Sequence, residues 1–322
     1  MLHVRLIVPP ELRPAVMQLL LDDPSVIHLQ VTYDASQRPN GDVVLFDIPR
    51  ETASTLLAGL RLLSLSTTGA VILTELRAVF SETAREAVEL APGDPSEAVI
   101  WEEVKARVRA ETVLTASWVA LMTVAILIAA VGLLTDSGIL IVGAMVVGPD
   151  YGPLAAAAIG LHLNQFSWIA RGARMLAVGF CIAIPLAALL TIAIEVTGNT
   201  PASFVNNEQS ATAFIARPDV FSVIVAVLAA IAGIMSLTQE KAGTLVGVLI
   251  SVTTIPAAAA VGVYSAHGRW NDAFGSLAQL LLNLVLLVAV GGATLRVERL
   301  VHVRRRETRR RLLEAGAALS KV

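Results

Sequence analysis

The chain has 322 residues, of which 55% are hydrophobic and only 16% are charged, and its mean hydropathy is +0.71. Because soluble domains carry about a quarter of charged residues, this composition excludes an ordinary soluble protein and indicates a membrane protein. The single cysteine, Cys181, excludes an internal disulfide framework. The five histidines lack the spacing of metal ligands, so we expect neither a metal site nor a cofactor.

Charge is distributed unevenly along the chain. The net charge is −6 over residues 1–112, −2 over residues 113–295 and +6 over residues 296–322. The middle segment holds only 12 formal charges in 183 residues. Such a long apolar segment is expected to be solvated mostly by lipid.

Residues 1–80 have the pattern of a small α+β domain. Strand patterns occur at residues 2–8, 25–33, 43–48 and 69–79, and helical patterns lie at residues 11–22 and 50–63. The order β-α-β-β-α-β is the split-βαβ, or ferredoxin-like, pattern. The first apolar run is short and is followed by prolines and acids, which is not the pattern of a signal peptide. Residues 81–112 are predicted to form a linker and a charged amphipathic helix.

Six apolar segments follow, each close to the length that a helix needs to cross a bilayer. They are residues 113–134, 138–163, 173–196, 220–237, 242–264 and 273–295. The connections after the second and fourth segments carry Arg171, Arg174 and Lys241, and both terminal flanks are basic. By the positive-inside rule, we expect a multi-pass protein of the cytoplasmic (plasma) membrane with both termini in the cytoplasm. The tail, 296–322, is then cytoplasmic.

Two of the six segments resemble each other. IVGAMVVGPDYGPLAAAAIGL starts at Ile141, and LVGVLISVTTIPAAAAVGV starts at Leu245. Both contain Val-Gly, a polar break ending in proline, and four alanines. Two repeats, 113–196 and 220–295, are therefore predicted, and they are inverted in the membrane because each has three spans. The predicted fold class is an α-helical polytopic membrane protein of two inverted three-helix repeats with an N-terminal α+β ferredoxin-like cytoplasmic domain. Matching broken helices point to a transport site at the midplane; chance similarity between alanine-rich helices stays open.

Polar residues at and near these breaks are the candidate cavity residues. They are Pro149, Asp150, Tyr151, Gly152, Pro153, Ser251, Thr253, Thr254, Pro256, Gln279 and Asn283. Asp150 is an acid inside a span, which favours a role as a proton carrier or a cation ligand; a place in an aqueous vestibule without such a role is the alternative. The hydroxyl groups of Ser251, Thr253 and Thr254 either hydrogen-bond to backbone groups that the break leaves unpaired or bind a ligand. Gln279 and Asn283 share a helix face, where they either bond between helices or line a cavity.

The basic tail is expected to contact anionic lipid headgroups, which attract clustered arginines. Its clusters are Arg304, Arg305, Arg306, Arg309, Arg310 and Arg311. Nucleic-acid binding is disfavoured because no aromatic residues lie between the arginines. Attraction to the acidic N-terminal domain, in the same or a neighbouring subunit, is a further possibility. We also expect a symmetric homo-oligomer.

The segments IVGAMVVGPDYGPL and SLTQEKAGTLVGVLISVTTIPAAAAVGV, with the preceding ATAFIARPD, resemble the bacterial membrane family called domain of unknown function 389, an uncharacterised hydrophobic domain. The resemblance covers about residues 110–295 and implies a multi-span membrane protein without naming a substrate. This chain departs from the usual family pattern at Gly148, Asp150 and Tyr151. The predicted role of Asp150 therefore rests on its position in this chain.

The leading functional hypothesis is a transporter or channel-like permease for an unknown small polar or anionic solute, regulated by or assembled through the cytoplasmic domain. The alternatives are a membrane-anchored metabolite sensor and a structural membrane protein without transport activity. The sequence contains no P-loop, no G-x-S-x-G elbow, no H-E-x-x-H and no dinucleotide-binding fingerprint. We therefore expect no catalytic residues and no enzymatic activity.

Overall fold

The computed structural model describes residues 1–76, 78–91, 101–206, 215, 219–238 and 254–319; the side chains of residues 101–103, 107 and 302–319 are outside this description. The chain divides into two compact units, residues 1–104 with 300–322 and residues 105–299. We refer to them as the N-terminal unit and the membrane unit.

The N-terminal unit has the predicted β-α-β-β-α-β order. Its elements are β1 (Leu2–Val8), α1 (Arg13–Leu21), β2 (Ile27–Gln37), β3 (Asn40–Ile48), α2 (Arg50–Leu62), the short α3 (Leu65–Thr68), β4 (Ala70–Glu75) and α4 (Glu82–Leu90). Helix α5 (Trp101–Glu111) begins in this unit, and its residues from 105 onward belong to the membrane unit. The strands form one sheet in the order β2-β3-β1-β4, and every neighbouring pair is antiparallel. This small antiparallel sheet has the strand order expected for a split-βαβ unit.

The core of the N-terminal unit lies between the sheet and the two longer helices. Leu6 on β1 and Phe46 on β3 are fully buried, and Leu20 on α1 and Leu60 on α2 pack in the same cluster. Alternate side chains of a strand point to opposite faces, so the apolar residues of β1 and β3 cover one face that α1 and α2 bury.

One ion pair of this unit joins Arg13 to the buried carboxylate of Asp42. Asp42 is fully buried, and its carboxylate accepts hydrogen bonds from the Arg13 guanidinium, with 2.8 Å from Nη2 to Oδ1, and from the Asp34 amide at 2.9 Å. Burial raises the pKa of Asp42, but these hydrogen bonds lower it by more, so the pKa lies below its ordinary value. Folding therefore favours the ionised form of Asp42.

This pKa predicts how the stability of the N-terminal unit depends on pH. A carboxyl whose pKa is lower in the folded state stabilises the fold above its unfolded pKa of about 3.9, and this contribution is lost as the pH falls through the folded pKa. We expect Asp42→Asn to speed amide hydrogen exchange in β3 several-fold at pH 5. After correction for intrinsic rates, the exchange rate of the variant should also change less between pH 5 and pH 3 than that of the wild type. Asp34→Asn is the control, because the Asp34 side chain is 74% exposed and lies 3.5 Å from Arg13. Equal pH dependence in wild type and Asp42→Asn would contradict the prediction.

The membrane unit is helical throughout its described part. Its elements are α6 (Ala116–Leu134), α7 (Gly138–Val147), α8 (Tyr151–His162), α9 (Phe166–Val196), the short α10 (Ala202–Val205), α11 (Val220–Thr238), α12 (Thr254–Ala266) and α13 (Trp270–Leu319), which continues beyond residue 299. Among the described residues, four helices are long and apolar enough to cross a membrane, namely α6, α9, α11 and the first part of α13, residues 270–301. The bent pair of α7 and α8 makes a fifth candidate.

These helices support four or five of the six predicted spans. The predicted fifth span, 242–264, lies outside the described residues up to position 253, and α12 covers only its second half. Helix α9 begins at Phe166, seven residues before the predicted start, and α13 runs past the predicted end at residue 295. The helices are longer than the predicted spans because the apolar segment marks only the part that lipid can cover. The helical hydrogen bonds continue through flanking polar residues that are good helix formers.

Small residues let the helices of the membrane unit approach closely. Helix α12 packs against α6 and α9, and α8 packs against α9. The alanines 155–158 of α8 and 257–260 of α12 are all buried. Larger apolar side chains such as Leu189 and Val285 are exposed on the outside of the unit. This distribution is typical of helices that pack through small residues and face lipid with large ones.

Candidate functional site

The candidate site begins at the break between α7 and α8. The two helices are bent by 60° at residues 148–150. Gly148 has an extended backbone, with φ −70° and ψ 132°. Proline disfavours the helical conformation of the residue before it, so Pro149 accounts for the end of α7 at Val147.

Aromatic side chains hold the backbone on both sides of the break. The indole Nε1 of Trp118 on α6 donates a hydrogen bond to the Pro149 carbonyl at 2.9 Å. The hydroxyl of Tyr151 donates to the Gly233 carbonyl on α11 at 2.5 Å. Because a carbonyl without a partner is costly inside a membrane, the bond from Trp118 stabilises the break. The Tyr151 bond connects α8 to α11.

The break lies directly against the start of α12. The Thr254 hydroxyl, at the first residue of α12, donates a hydrogen bond to Oδ2 of Asp150, the residue before α8. Asp150 is 3% exposed and Thr254 is fully buried. Gly148 also packs on Ile255, since a Cβ at position 148 would lie 1.7 Å from Ile255 Cδ1. The structure thus brings together two regions that are 104 residues apart in the chain.

The prolines of the two similar segments occupy the same place in their helices. Pro153 and Pro256 are each the third helical residue, after Tyr151-Gly152 and Thr254-Ile255. Each of these helices therefore begins two residues before its proline. A proline in the first turn removes no helical hydrogen bond, because the first amides of a helix have no partner within it.

A small cavity lies beside Asp150. It offers about 20 Å³ to the centre of a water molecule, which is enough for one water. Its lining is formed by residues of α8, α11 and α13 with Asp150, namely Asp150, Tyr151, Leu154, Ala155, Ala158, Ala229, Ala230, Ile234 and Leu287. Asp150 and Tyr151 supply the polar groups of this lining, and the other residues are apolar.

A row of buried polar side chains on α13 leads along one helix face toward this cavity. Ser276, Gln279 and Asn283 are each at most 2% exposed, and Leu287 follows one turn further on. Gln279 Nε2 donates to Asn283 Oδ1 at 3.3 Å, and Gln279 Oε1 is buried without a hydrogen-bond partner. Polar side chains that face the protein inside a membrane are costly and typical of functional sites.

The other predicted site residues fall into two groups. Gly152 and Pro153 are buried in the first turn of α8, and Pro256 is buried in that of α12. Ser251, Thr253 and the side chains of the tail arginines lie outside the described residues; these arginines are Arg304, Arg305, Arg306, Arg309, Arg310 and Arg311. In the described part of the chain, no group of three histidine, cysteine or acidic residues could hold a metal ion.

Sequence reasoning missed three residues of the site. Trp118 and Gly233 hold the break through hydrogen bonds, and Ser276 belongs to the polar row. The spacing of Ser276, Gln279 and Asn283, three and then four residues apart, indicates one helix face and could have revealed the serine. Nothing in the sequence pairs Trp118 or Gly233 with the break.

Comparison with known proteins identifies one family. Residues 145–289 match the model of a domain of unknown function (DUF389). Neither the search of curated proteins nor the search of solved structures found a match. The matched range begins in α7 and ends in α13, so it includes the break, the start of α12 and the polar row. The long apolar helices indicate a multi-pass membrane protein.

Proposed function

Because residues 145–289 of this multi-pass membrane protein form a domain of the DUF389 family, which has no assigned activity, we propose a function from the geometry: a transporter or channel-like permease for a small polar or anionic solute. The observation that carries the proposal is the buried contact between Asp150 and Thr254, where the first turns of α8 and α12 meet. The N-terminal end of a helix presents amide groups and a partial positive charge. Two such ends at one place favour a polar or negatively charged guest.

The helix order supports two inverted repeats of three spans. A long helix, a broken helix and a second long helix follow one another in α6 to α9. In the second half, α11 and α13 are again long helices on either side of α12, and residues 239–253 lie outside the described part. The left-handed residues Asn164, with φ 54°, and Gly268, with φ 69°, lie two positions after the last residues of α8 and α12. Each is followed by an amide that bonds the carbonyl five residues back. A unit with an odd number of spans reverses its orientation on repetition, and such repeats typically enclose a site at the midplane.

The cavity and the polar row indicate how a solute would move. With room for one water, the site is closed to larger solutes in this conformation. We propose that it opens when α8 separates from α11 and α13, and that Ser276, Gln279 and Asn283 line the path to Asp150. In this proposal the protein lies in the plasma membrane with both termini in the cytoplasm. The N-terminal unit regulates the permease or assembles a homo-oligomer. The basic tail contacts anionic lipid.

Flux into proteoliposomes tests the proposed function. Stopped-flow light scattering would follow osmotic uptake of formate, nitrate, phosphate, glycerol and urea, and a trapped pH dye would follow proton movement. We expect one of these fluxes to exceed that of protein-free vesicles and to fall at least about tenfold in Asp150→Asn, because the variant removes the buried acid that the site is built around.

Asp219→Asn is the matched control for this experiment. Asp219 precedes α11, and its carboxylate caps the Ser222 amide at 2.7 Å. Asparagine caps a helix equally well, so this variant removes one carboxylate of the membrane unit and keeps the local structure. Its flux should equal that of the wild type. A folded protein that raises none of these fluxes, or a folded Asp150→Asn variant with wild-type flux, would disprove the proposal.

A further inference from the structure

We propose that the N-terminal unit carries a second site, in which His28 and Asp47 activate the Ser81 hydroxyl as a nucleophile for acyl transfer from an ester. The site belongs to the other unit of the chain and is independent of the proposed permease. It departs from the expectation that the protein has no enzymatic activity. Its three residues lie on different elements and form no sequence motif.

The three side chains form a continuous hydrogen-bonded chain. Asp47 Oδ2 on β3 lies 2.7 Å from His28 Nδ1 on β2, and His28 Nε2 lies 3.0 Å from Ser81 Oγ, the residue that caps α4. With Nδ1–H donating to the carboxylate, Nε2 is left to accept the serine proton. A nucleophile, a base and a group that orients the base, each within hydrogen-bond distance, are the signature of an activated hydroxyl.

The backbone of β2 is distorted where it carries the histidine. Ile27 pairs with Asp47 and Gln30 with Leu45, so the register between β2 and β3 shifts by one residue across His28. His28 itself has a left-handed φ of 52°. Such a φ is uncommon outside glycine, and bulges of this kind redirect side chains, often at functional sites. The bulge is what aims His28 at both Asp47 and Ser81.

Two neighbouring side chains hold the first and last residues of this hydrogen-bonded chain, Asp47 and Ser81. His3, the cross-strand partner of Asp47, lies with its Nδ1 2.7 Å from Oδ1, so both carboxylate oxygens are engaged and Asp47 is only 13% exposed. The Thr83 hydroxyl lies 2.7 Å from Ser81 Oγ and 3.1 Å from His28 Nε2. When Thr83 donates to Ser81 Oγ, the proton of Ser81 remains directed at His28.

Ser81 lies at an open groove of the N-terminal unit, which indicates the class of substrate. The groove has a volume of about 830 Å³, within the range of small-molecule sites. Its lining includes the apolar side chains of Met1, Leu76, Val79 and Phe80, with Arg85 beside them. Arg85 is bound to Glu82 and Glu89, so its charge is already paired. A lining of this kind fits the ester of a short apolar acid.

The proposed reaction is a hydrolysis in two steps. Ser81 Oγ attacks the ester carbonyl carbon while its proton passes to His28 Nε2. The carbon–oxygen bond to the alcohol then breaks, and the alcohol leaves with that proton. Water next adds to the acyl group on Ser81, gives a proton to His28 and releases the acid, and Ser81 recovers the proton.

A fluorophosphonate probe tests whether Ser81 is activated. Its phosphorus forms a bond to an activated serine oxygen as fluoride leaves. The full-length protein in detergent would be treated with the probe and digested with trypsin, which cleaves after Arg77 and Arg85, so that Ser81 lies on the peptide AVFSETAR. General-base assistance contributes about 100-fold or more, so Ser81 should react at least about 100-fold faster than the exposed Ser66.

Variants decide whether the reactivity depends on the proposed chain. His28→Asn keeps a residue that tolerates the left-handed backbone, and we expect it to reduce labelling of Ser81 to the rate of Ser66. Asp47→Asn should have a similar effect by favouring the wrong tautomer of His28. Asp34→Asn removes an exposed carboxylate of β2 that takes no part in the proposed site, and it should label like the wild type. Ser81→Asn preserves the cap of α4 and should abolish the labelled peptide.

Other outcomes would overturn the proposal. Labelling of Ser81 no faster than that of Ser66 excludes an activated hydroxyl. Fast labelling that persists in His28→Asn excludes the base, and fast labelling of Thr83 in place of Ser81 excludes the nucleophile. Amide hydrogen exchange in β1 and β3 verifies that each variant is folded. Hydrolysis of a p-nitrophenyl ester, lost in the same variants, would establish turnover.

Discussion

Gly172→Ala is expected to destabilise the membrane unit by about 3 kcal/mol or more, at the upper end of the cost of overpacking. Gly172 lies on α9, where the helix touches the first turn of α8. A Cβ at this position would lie 2.3 Å from the Pro153 carbonyl oxygen and 3.5 Å from the Ala157 side chain. The carbonyl is backbone and cannot rotate away, so α8 and α9 would have to separate next to the candidate site.

A titration with dodecyl sulfate in mixed micelles would measure this loss. Gly143→Ala is the matched control, because nothing lies within 4 Å of a Cβ at Gly143, which also lies within a helix of the membrane unit, α7. Alanine is a better helix former than glycine by up to about 1 kcal/mol, so the control should be as stable as the wild type or more so. Equal losses in the two variants, or no loss in Gly172→Ala, would show that close contact between α8 and α9 does not limit stability.

Much of the N-terminal unit could be predicted because its signals are local. Alternating apolar residues in β1 predicted that strand at its observed bounds, and two consecutive strand patterns predicted the hairpin of β2 and β3, whose loop is Arg38-Pro39. The observed β2 extends to Gln37, four residues beyond the predicted end, since pairing with β3 orders residues that carry no strand pattern of their own. Tertiary pairing sets such limits, and a single sequence does not record them.

The break between α7 and α8 was predictable because its signal is also local, whereas the residues that contact it were not. Proline acts on its own backbone, so Pro149 and the similar segment around Pro256 could be recognised from the sequence. The contact of Asp150 with Thr254 and the bonds from Trp118 and Tyr151 join residues up to 104 positions apart. Their partners depend on how the helices pack, which apolar spans of nearly uniform composition do not encode locally.

The hydrogen bonds that link Asp47, His28 and Ser81 in the N-terminal unit also could not be predicted from the sequence. The five histidines lack metal-ligand spacing, but spacing along the sequence does not reveal contacts across a sheet. His28 meets Asp47 through a bulge, and Ser81 reaches His28 only after the chain has passed through β4. A bulge has no reliable signal in one sequence, so this arrangement required the structure.

The second large effect is expected for Thr254→Val, which should lower the free energy of unfolding of the membrane unit by about 2–3 kcal/mol. The side chains are similar in shape, but valine cannot donate to Asp150, which is buried at the break and depends on the Thr254 hydroxyl for this hydrogen bond. Loss of a partner to a buried acid leaves its desolvation uncompensated. Thr254→Ser keeps the donor and should recover most of the stability.

Thr191→Val is the matched control for this prediction. Thr191 on α9 is also fully buried, but its hydroxyl donates at 2.8 Å to the Ala187 carbonyl in the preceding turn of its own helix. Since that carbonyl already accepts a helical hydrogen bond, the control should lose less than about 1 kcal/mol. Dodecyl sulfate titration of both variants, with a double-mutant cycle between Thr254→Val and Asp150→Ala, would isolate the coupling, which is expected at about 1–3 kcal/mol. Additive losses would mean that the Asp150–Thr254 contact does not stabilise the junction of the two helices.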